Sequence, residues 1–276
     1  MSGVVMSKVW YITGTSRGLG KQWALHALSQ GDCVVAASRN LDDLEYMSSA
    51  VKKGVALPVR CDVTQPELVS KSIQAGMAYY GHIDVVVNVA GIGMFAPLED
   101  SPIDDVHRVF EVNFFGSWNV IQSMLKLTEV STPWKLFQIS SIAGIRGFAD
   151  MAAYTASKWA VEGMIESLRD ELAGRPIDVC IVQPGPYLTD WVGKSAIRPN
   201  RSHRYPGEEQ TRKLYWPKLE PERPEAAASA LSDVMKQETP PFRVVVGMSA
   251  LTCLKESESE RAFPGVVCAH SYDKFE

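Results

Sequence analysis

The chain has 276 residues, 46% of them hydrophobic and 22% charged, and a formal net charge of −4. That length suits one sizeable α/β domain, and the balance is ordinary for a globular protein. The charge offers no basic field for nucleic acid, and no apolar run reaches the roughly 18 residues of a membrane span.

The elements follow in chain order. Met1 to Ser7 has neither the charged start nor the apolar core of a signal peptide. Residues 8–13, Lys-Val-Trp-Tyr-Ile-Thr, read as a strand. Gly14-Thr15-Ser16-Arg17-Gly18-Leu19-Gly20 follows, and a helical pattern runs over 18–30. Strand, glycine-rich turn and helix make a phosphate site, because the backbone can approach a pyrophosphate lying at the positive end of the helix. The spacing is Gly-x3-Gly-x-Gly. The next strand, 33–38, runs into Ser38-Arg39-Asn40 without the carboxylate that would hold free ribose hydroxyls. Arg39, with Arg17 in the loop, suits a 2′-phosphate, so the chemistry favours NADP(H) over NAD.

Further strands are expected near 55–60, 83–88, 135–140, 177–183 and 242–247. Helices are expected near 41–53, 66–80, 102–130, 154–174 and 222–237. The alternation predicts a Rossmann-like, doubly wound parallel sheet of about seven strands, with helices on both faces, in a single domain over 1–276. Ligands of such sheets bind beyond the carboxyl ends of the strands. Gly14, Arg39, Asp62, Asn88, Ser141 and Pro184 all fall at or just after strand ends. Cys33, Cys61, Cys180, Cys253 and Cys268 are scattered and odd in number, which predicts a reducing, cytoplasmic setting with no disulfide framework. Neither they nor the histidines have metal-ligand spacing.

Tyr154-Thr155-Ala156-Ser157-Lys158 carries the chemistry. Residues four apart share a helix face, so a phenol stands beside an ammonium. A neighbouring cation is expected to lower the phenol pKa from about 10, giving a proton donor for a carbonyl oxygen or a base for an alcohol.

With these markers in register, the chain resembles the short-chain dehydrogenase/reductase family in its single-domain form, from about residue 7 to about 247. Thr13-Gly14-x3-Gly18-x-Gly20 resembles its cofactor loop, and Asp62-Val63 its adenine contact. Asn88-Val89-Ala90-Gly91 is similar to its Asn-Asn-Ala-Gly motif with the second position changed. Asn113 resembles the active-site asparagine, and Ser141, thirteen residues before Tyr154, the catalytic serine. Pro184-Gly185 and Thr189 resemble the stretch beside the nicotinamide. The resemblance implies a catalytic set of Asn113, Ser141, Tyr154 and Lys158. In it Tyr154 gives a proton, Ser141 is a second donor, Lys158 also holds the nicotinamide ribose, and Asn113 holds a water linking Lys158 to solvent. It also implies a small-molecule carbonyl or alcohol substrate and a homodimer or homotetramer. A cyclase or epimerase that retains NADP, and a non-catalytic NADP sensor, are the alternatives; the intact Ser-Tyr-Lys set counts against both.

Residues 186–221 form a long, aromatic-rich insertion, read as a substrate lid. Phe95, Phe148, Tyr187, Trp191 and Trp216, with Met94 and Met151, suggest a bulky apolar or aromatic substrate. In the tail, 249–276, Glu256 to Arg261 reads as a solvated helix, and Val266-Val267-Cys268 as a packing segment, either a pocket wall or a subunit contact.

Overall fold

The computed structural model describes residues 7–261, other than 192, 194, 217, 218 and 236. Seven strands form one sheet: β1 (Val9–Thr13), β2 (Cys33–Ser38), β3 (Ala56–Arg60), β4 (Val85–Asn88), β5 (Trp134–Ile139), β6 (Ile177–Pro184) and β7 (Arg243–Val246). Their order is β3-β2-β1-β4-β5-β6-β7, and every pairing is parallel. The strand order reverses direction between β1 and β4, so a crevice opens at the carboxyl ends there.

The helices are α1 (Gly18–Ser29), α2 (Ser48–Lys52), α3 (Pro66–Tyr80), α4 (Ile103–Phe110), α5 (Gly116–Leu127), α6 (Ala152–Glu171), α7 (Glu208–Tyr215), α8 (Pro224–Met235) and α9 (Met248–Arg261). The strands are apolar at successive positions because both faces are covered. In β1, Val9 and Tyr11 point to one face, with Val69 and Ile73 of α3, Val120 and Met124 of α5, and Val161 and Ile165 of α6. Trp10 and Ile12 point to the other, with Trp23, Ala24 and Ala27 of α1 and Ala227 and Leu231 of α8.

Several boundaries differ from expectation. The helix expected over 102–130 is two helices separated by a π-helical turn at Glu111–Phe115. The extra residue in that turn belongs with Asn113, which is fully buried and bonded to neighbouring elements. Periodicity does not register one inserted residue. The 186–221 insertion contains α7. The tail helix starts at Met248, before the charged run, because Ala250 and Cys253 pack on Ile142. The Val266-Val267-Cys268 segment and Met1 to Met6 lie outside the described residues.

Cys33, Cys61 and Cys180 are free thiols. Among the described residues no helix is long and apolar enough to cross a membrane.

Buried polar side chains bind the central strands together near their carboxyl ends. Asn88 of β4 accepts a hydrogen bond from Thr13 Oγ1 of β1 at 3.1 Å. It donates to Gln138 Oε1 of β5 at 2.8 Å and to the Ser117 carbonyl of α5 at 3.3 Å. Thr13 Oγ1 in turn accepts the amides of Val89 and Ala90. Asn88→Ala should strand these partners and lower stability by about 1–3 kcal/mol. Urea denaturation is the measurement, and an unchanged midpoint would contradict this account of the network.

Candidate active site

The glycine loop takes its shape from close contacts. Gly14 has φ of +68°, and a Cβ there would stand 3.1 Å from the Ala90 backbone. A Cβ on Gly20 would overlap the Gly14 carbonyl oxygen. Helix α1 starts without a side-chain cap or an acidic residue in its first turn, so its leading amides are left for an anion. This cradle fits a dinucleotide pyrophosphate.

One pocket of about 540 Å³ runs from this loop to α6. Gly14, Ser16, Arg17, Gly18, Leu19, Gly20, Ser38, Arg39, Asp62, Val63, Ala90 and Gly91 line it, as do Pro184, Gly185 and Thr189. Arg17 and Arg39 are exposed at its edge. Asp62 Oδ1 accepts from the Thr64 amide and hydroxyl, which fixes the carboxylate after β3. Thr15 and Asn88 face inward instead. Thr15 is fully buried, its amide and hydroxyl both bond to the Ala37 carbonyl, and its own carbonyl accepts from Tyr46. Asn88 belongs to the strand network described above.

At the other end Ser141, Tyr154 and Lys158 share the same pocket. Ser141 caps a short turn at Ile142–Gly144, its Oγ accepting the Ala143 amide at 3.1 Å. Its single hydroxyl hydrogen is thus left to donate. Tyr154 and Lys158 lie one turn apart on the buried face of α6. Lys158 Nζ donates to the Ile139 carbonyl at 3.0 Å and lies 5.7 Å from the centre of the Tyr154 ring.

The phenol does not follow the sequence expectation. Burial pushes the Tyr154 pKa above its ordinary value, and the Ser141 hydrogen bond offsets this only in part. Lys158 is lowered to about 8, because burial outweighs the upward pull of the Glu162 carboxylate. Desolvation outranks the neighbouring cation here, and helix spacing says nothing about burial depth. The phenol is therefore held protonated, ready to donate.

Asn113 sits behind these groups, outside the pocket lining. Its Oδ1 accepts the Ile92 amide at 2.8 Å, and its Nδ2 donates to the Ile92 carbonyl and to Ser157 Oγ, each at 3.0 Å. Both Nδ2 hydrogens are thus used, and among the described residues its side-chain bonds go to Ile92 and Ser157. Ser157 Oγ donates to the Tyr154 carbonyl at 2.7 Å. Ser117, Gln138 and Ser157 are not singled out in the sequence, and Thr13 enters there only as part of the cofactor-loop motif. The available signal was a polar side chain on an otherwise apolar buried face.

The aromatic candidates converge. Phe95, Phe148, Tyr187, Trp191 and Trp216 all line the pocket, with Met151. Trp191 lies 4.7 Å from the Tyr154 ring and 5.6 Å from Phe95, and Trp216 lies 6.0 Å from Phe148. Gly93 makes room for this, since a Cβ there would come within 2.8 Å of Trp191. Met94 instead packs with Val109 and Ala153, away from the pocket. The insertion is anchored by Arg201, which pairs with the nearly buried Asp150 at 2.6 Å, and by Ser202, whose amide bonds Asp100. Asp150 has φ of +66°, a left-handed conformation that aspartate tolerates better than most side chains. No cluster of three or more metal-binding side chains occurs among the described residues.

A Rossmann-type sheet carrying a glycine loop and a Ser-Tyr-Lys group in one crevice defines a dinucleotide-dependent class of oxidoreductase, and comparisons with known proteins identify the family. The model of the short chain dehydrogenase family matches residues 8–199, and the chain belongs to that family. Oxidoreductase BOA17 of Botryotinia fuckeliana (strain B05.10) is 34% identical over 251 residues, covering 89% of this chain and 91% of that protein. Retinol dehydrogenase 8 of Homo sapiens is 30% identical over 267 residues, covering 90% and 85%. A short-chain dehydrogenase from Streptomyces avermitilis superposes with a TM-score of 0.83 at 30% identity, covering 92% of this chain and 94% of that one. Two more distant structures share the fold. One, from Burkholderia cenocepacia, is in complex with NADP (24% identity, TM-score 0.74, 92% and 94% covered). The other, from Burkholderia phymatum, is in complex with NAD (21%, 0.78, 96% and 98%).

The protonation of Lys158 sets an expected pH dependence. A lysine lowered to about 8 keeps its charge below that pH and loses it above. For carbonyl reduction kcat/KM should be level near pH 7 and fall above about 8, approaching tenfold per pH unit. A kcat/KM that stays level to pH 10 would remove the Lys158 ammonium from the reaction.

Proposed function

We propose that the protein is an NADP(H)-dependent oxidoreductase acting on a carbonyl or secondary alcohol of a bulky apolar or aromatic compound. The observation that carries this reading is the placement of Ser141, Tyr154 and Lys158 in the same pocket as the glycine loop, walled by Phe95, Trp191 and Trp216. The cofactor, when bound, supplies or accepts the hydride. This chain does the rest. Tyr154 and Ser141 aim two donors at the oxygen on which charge develops, which stabilises the transition state more than the ground state. Tyr154 Oη releases the proton. Lys158 places a positive charge behind the phenol, which favours the phenolate left afterwards. Trp191 covers Tyr154 and keeps water from the reacting end.

Asn113 acts through others in this reading. Its amide locks the Ile92 backbone against Ser157, and Ser157 holds the first turn of α6. The Asn113 main-chain carbonyl accepts one bond from Ser117 Oγ at 2.7 Å and keeps a second lone pair for a water linked to Lys158.

The preference for NADP(H) rests on the pocket edge after β2. Ser38 and Arg39 stand there with Arg17 close by in the glycine loop, and all three line the pocket. A 2′-phosphate gains charge-assisted hydrogen bonds from guanidinium groups, and a plain ribose does not. Asp43 lines the same edge and moderates the positive charge without removing it.

Two experiments test the proposal. Tyr154→Phe keeps the packing and removes the proton, so turnover should fall at least ~100-fold while cofactor binding stays close to that of the parent. A Phe variant as fast as the parent would exclude the assigned proton donor. Separately, titration should give tighter binding of NADPH than of NADH. Ser38→Asp combined with Arg39→Leu should reverse the order, by adding a repulsive charge and removing an attractive one. Equal affinities in the parent protein would refute the cofactor assignment.

A further inference from the structure

Arg212 on α7 and Trp216, the residue just past the end of that helix, both line the pocket. The Arg212 guanidinium lies 5.3 Å from the centre of the Phe95 ring and 5.8 Å from that of Trp216. Its hydrogen bond among the described residues runs from Nη2 to Glu208 Oε1. Among the described residues its buried Nε has no acceptor, and neither does the buried Trp216 Nε1. Glu208 is not reserved for Arg212. It also takes Arg198, at 2.8 and 3.2 Å, and the two guanidinium groups hold its carboxyl below the usual range against the opposing effect of burial. One carboxylate thus serves two arginines.

Among the described residues the rest of this end of the pocket is mostly apolar, with Phe95, Phe148, Met151 and Trp191, and its Ser195 hydroxyl is spent on the Asp190 carbonyl. The carboxylates that line the pocket, Asp43 and Asp62, follow β2 and β3 at the cofactor end. A partly desolvated guanidinium among aromatic rings is unfavourable for a purely apolar ligand and attractive for an anion, because the low local dielectric strengthens the pairing. The ring series Tyr154–Trp191–Phe95, with separations of 4.7 and 5.6 Å, leads from the reacting phenol to Arg212. A ligand spanning it needs an apolar spacer between its two polar ends.

We propose that Arg212 anchors the substrate, and that the substrate is a carbonyl or hydroxy compound bearing a carboxylate, separated from the reacting carbon by an aromatic or other apolar spacer. This rests on the function proposed above and adds the substrate class. Arg212 takes no part in proton transfer. It fixes the far end of the molecule, and that binding aligns the carbonyl with Tyr154 and Ser141.

The test measures binding, so it does not depend on turnover. The enzyme saturated with NADP+ is titrated by calorimetry with 4-benzoylbenzoate and, in parallel, with its methyl ester. The acid should bind at least about tenfold more tightly, and its advantage should shrink in 1 M salt. Arg212→Gln should lower acid affinity at least tenfold more than ester affinity, with Arg212→Lys in between. Glu208→Gln frees Arg212 of its competitor and should raise acid affinity, which gives a second variant if Arg212→Gln fails to fold. An acid that binds no better than the ester, fails to bind, or keeps its advantage in Arg212→Gln overturns the inference and assigns Arg212 to bracing Phe95. A parent enzyme that reduces carbonyls yet shows no acid preference would remove Arg212's role alone. Tight acid binding in a protein that reduces no carbonyl would remove the reaction and leave the anion site.

Discussion

A continuous set of buried hydrogen bonds joins the cofactor side of the sheet to the catalytic helix, and the geometry of the site depends on it. Thr13 at the end of β1 bonds Asn88 at the end of β4, and Asn88 bonds Gln138 of β5. Gln138 donates to Ser117 Oγ, which donates to the Asn113 carbonyl. Asn113 reaches Ser157, and Ser157 reaches the Tyr154 carbonyl. Each group is buried, so each would be costly if left unpaired, and the set has few alternative arrangements. The glycine loop and α6 are thereby held in one fixed relation, although more than 130 residues separate them in the chain. The π-helical turn at Glu111–Phe115 serves the same end, since it brings Asn113 inward between Ile92 and Ser157.

Burial then determines the chemistry of the two ionisable groups. Removing Tyr154 and Lys158 from water favours the neutral form of each. The phenol keeps its proton and the lysine is poised near 8, so the pair holds a transferable proton at neutral pH. The Glu162 carboxylate is the counterweight that keeps the lysine from falling further, and the Ile139 carbonyl holds its ammonium in place. Glu162 is itself held by Gln183 at 2.9 Å and by Arg243, so the counterweight is anchored to β6 and β7.

The insertion after β6 builds the other wall of the crevice. Trp191 and Trp216 pack with Phe95 and Phe148, and Tyr187 packs against the sheet, whereas Tyr205 stays exposed. The ion pair of Arg201 with Asp150 ties this wall to the turn that begins α6. Substrate wall and catalytic helix are therefore mechanically joined a few residues from Tyr154.

Much of this was legible in the sequence because it depends on local rules. The β-branched runs marked all seven strands to within about two residues, and strand–helix alternation implied the parallel sheet. The glycine spacing and the Tyr154–Lys158 interval marked the two ends of the site, since backbone clearance and helix periodicity are short-range constraints. The aromatic residues were legible as a group, but their convergence was not. Tertiary packing alone decided the rest: that Thr15 and Asn88 face inward, that Asn113 spends its side chain on Ile92 and Ser157, and that α7 brings Arg212 over Phe95. It also decided the direction of the Tyr154 shift. Spacing along the chain reports which groups are neighbours, whereas desolvation depends on everything that encloses them, and that enclosure exists only once distant segments have packed.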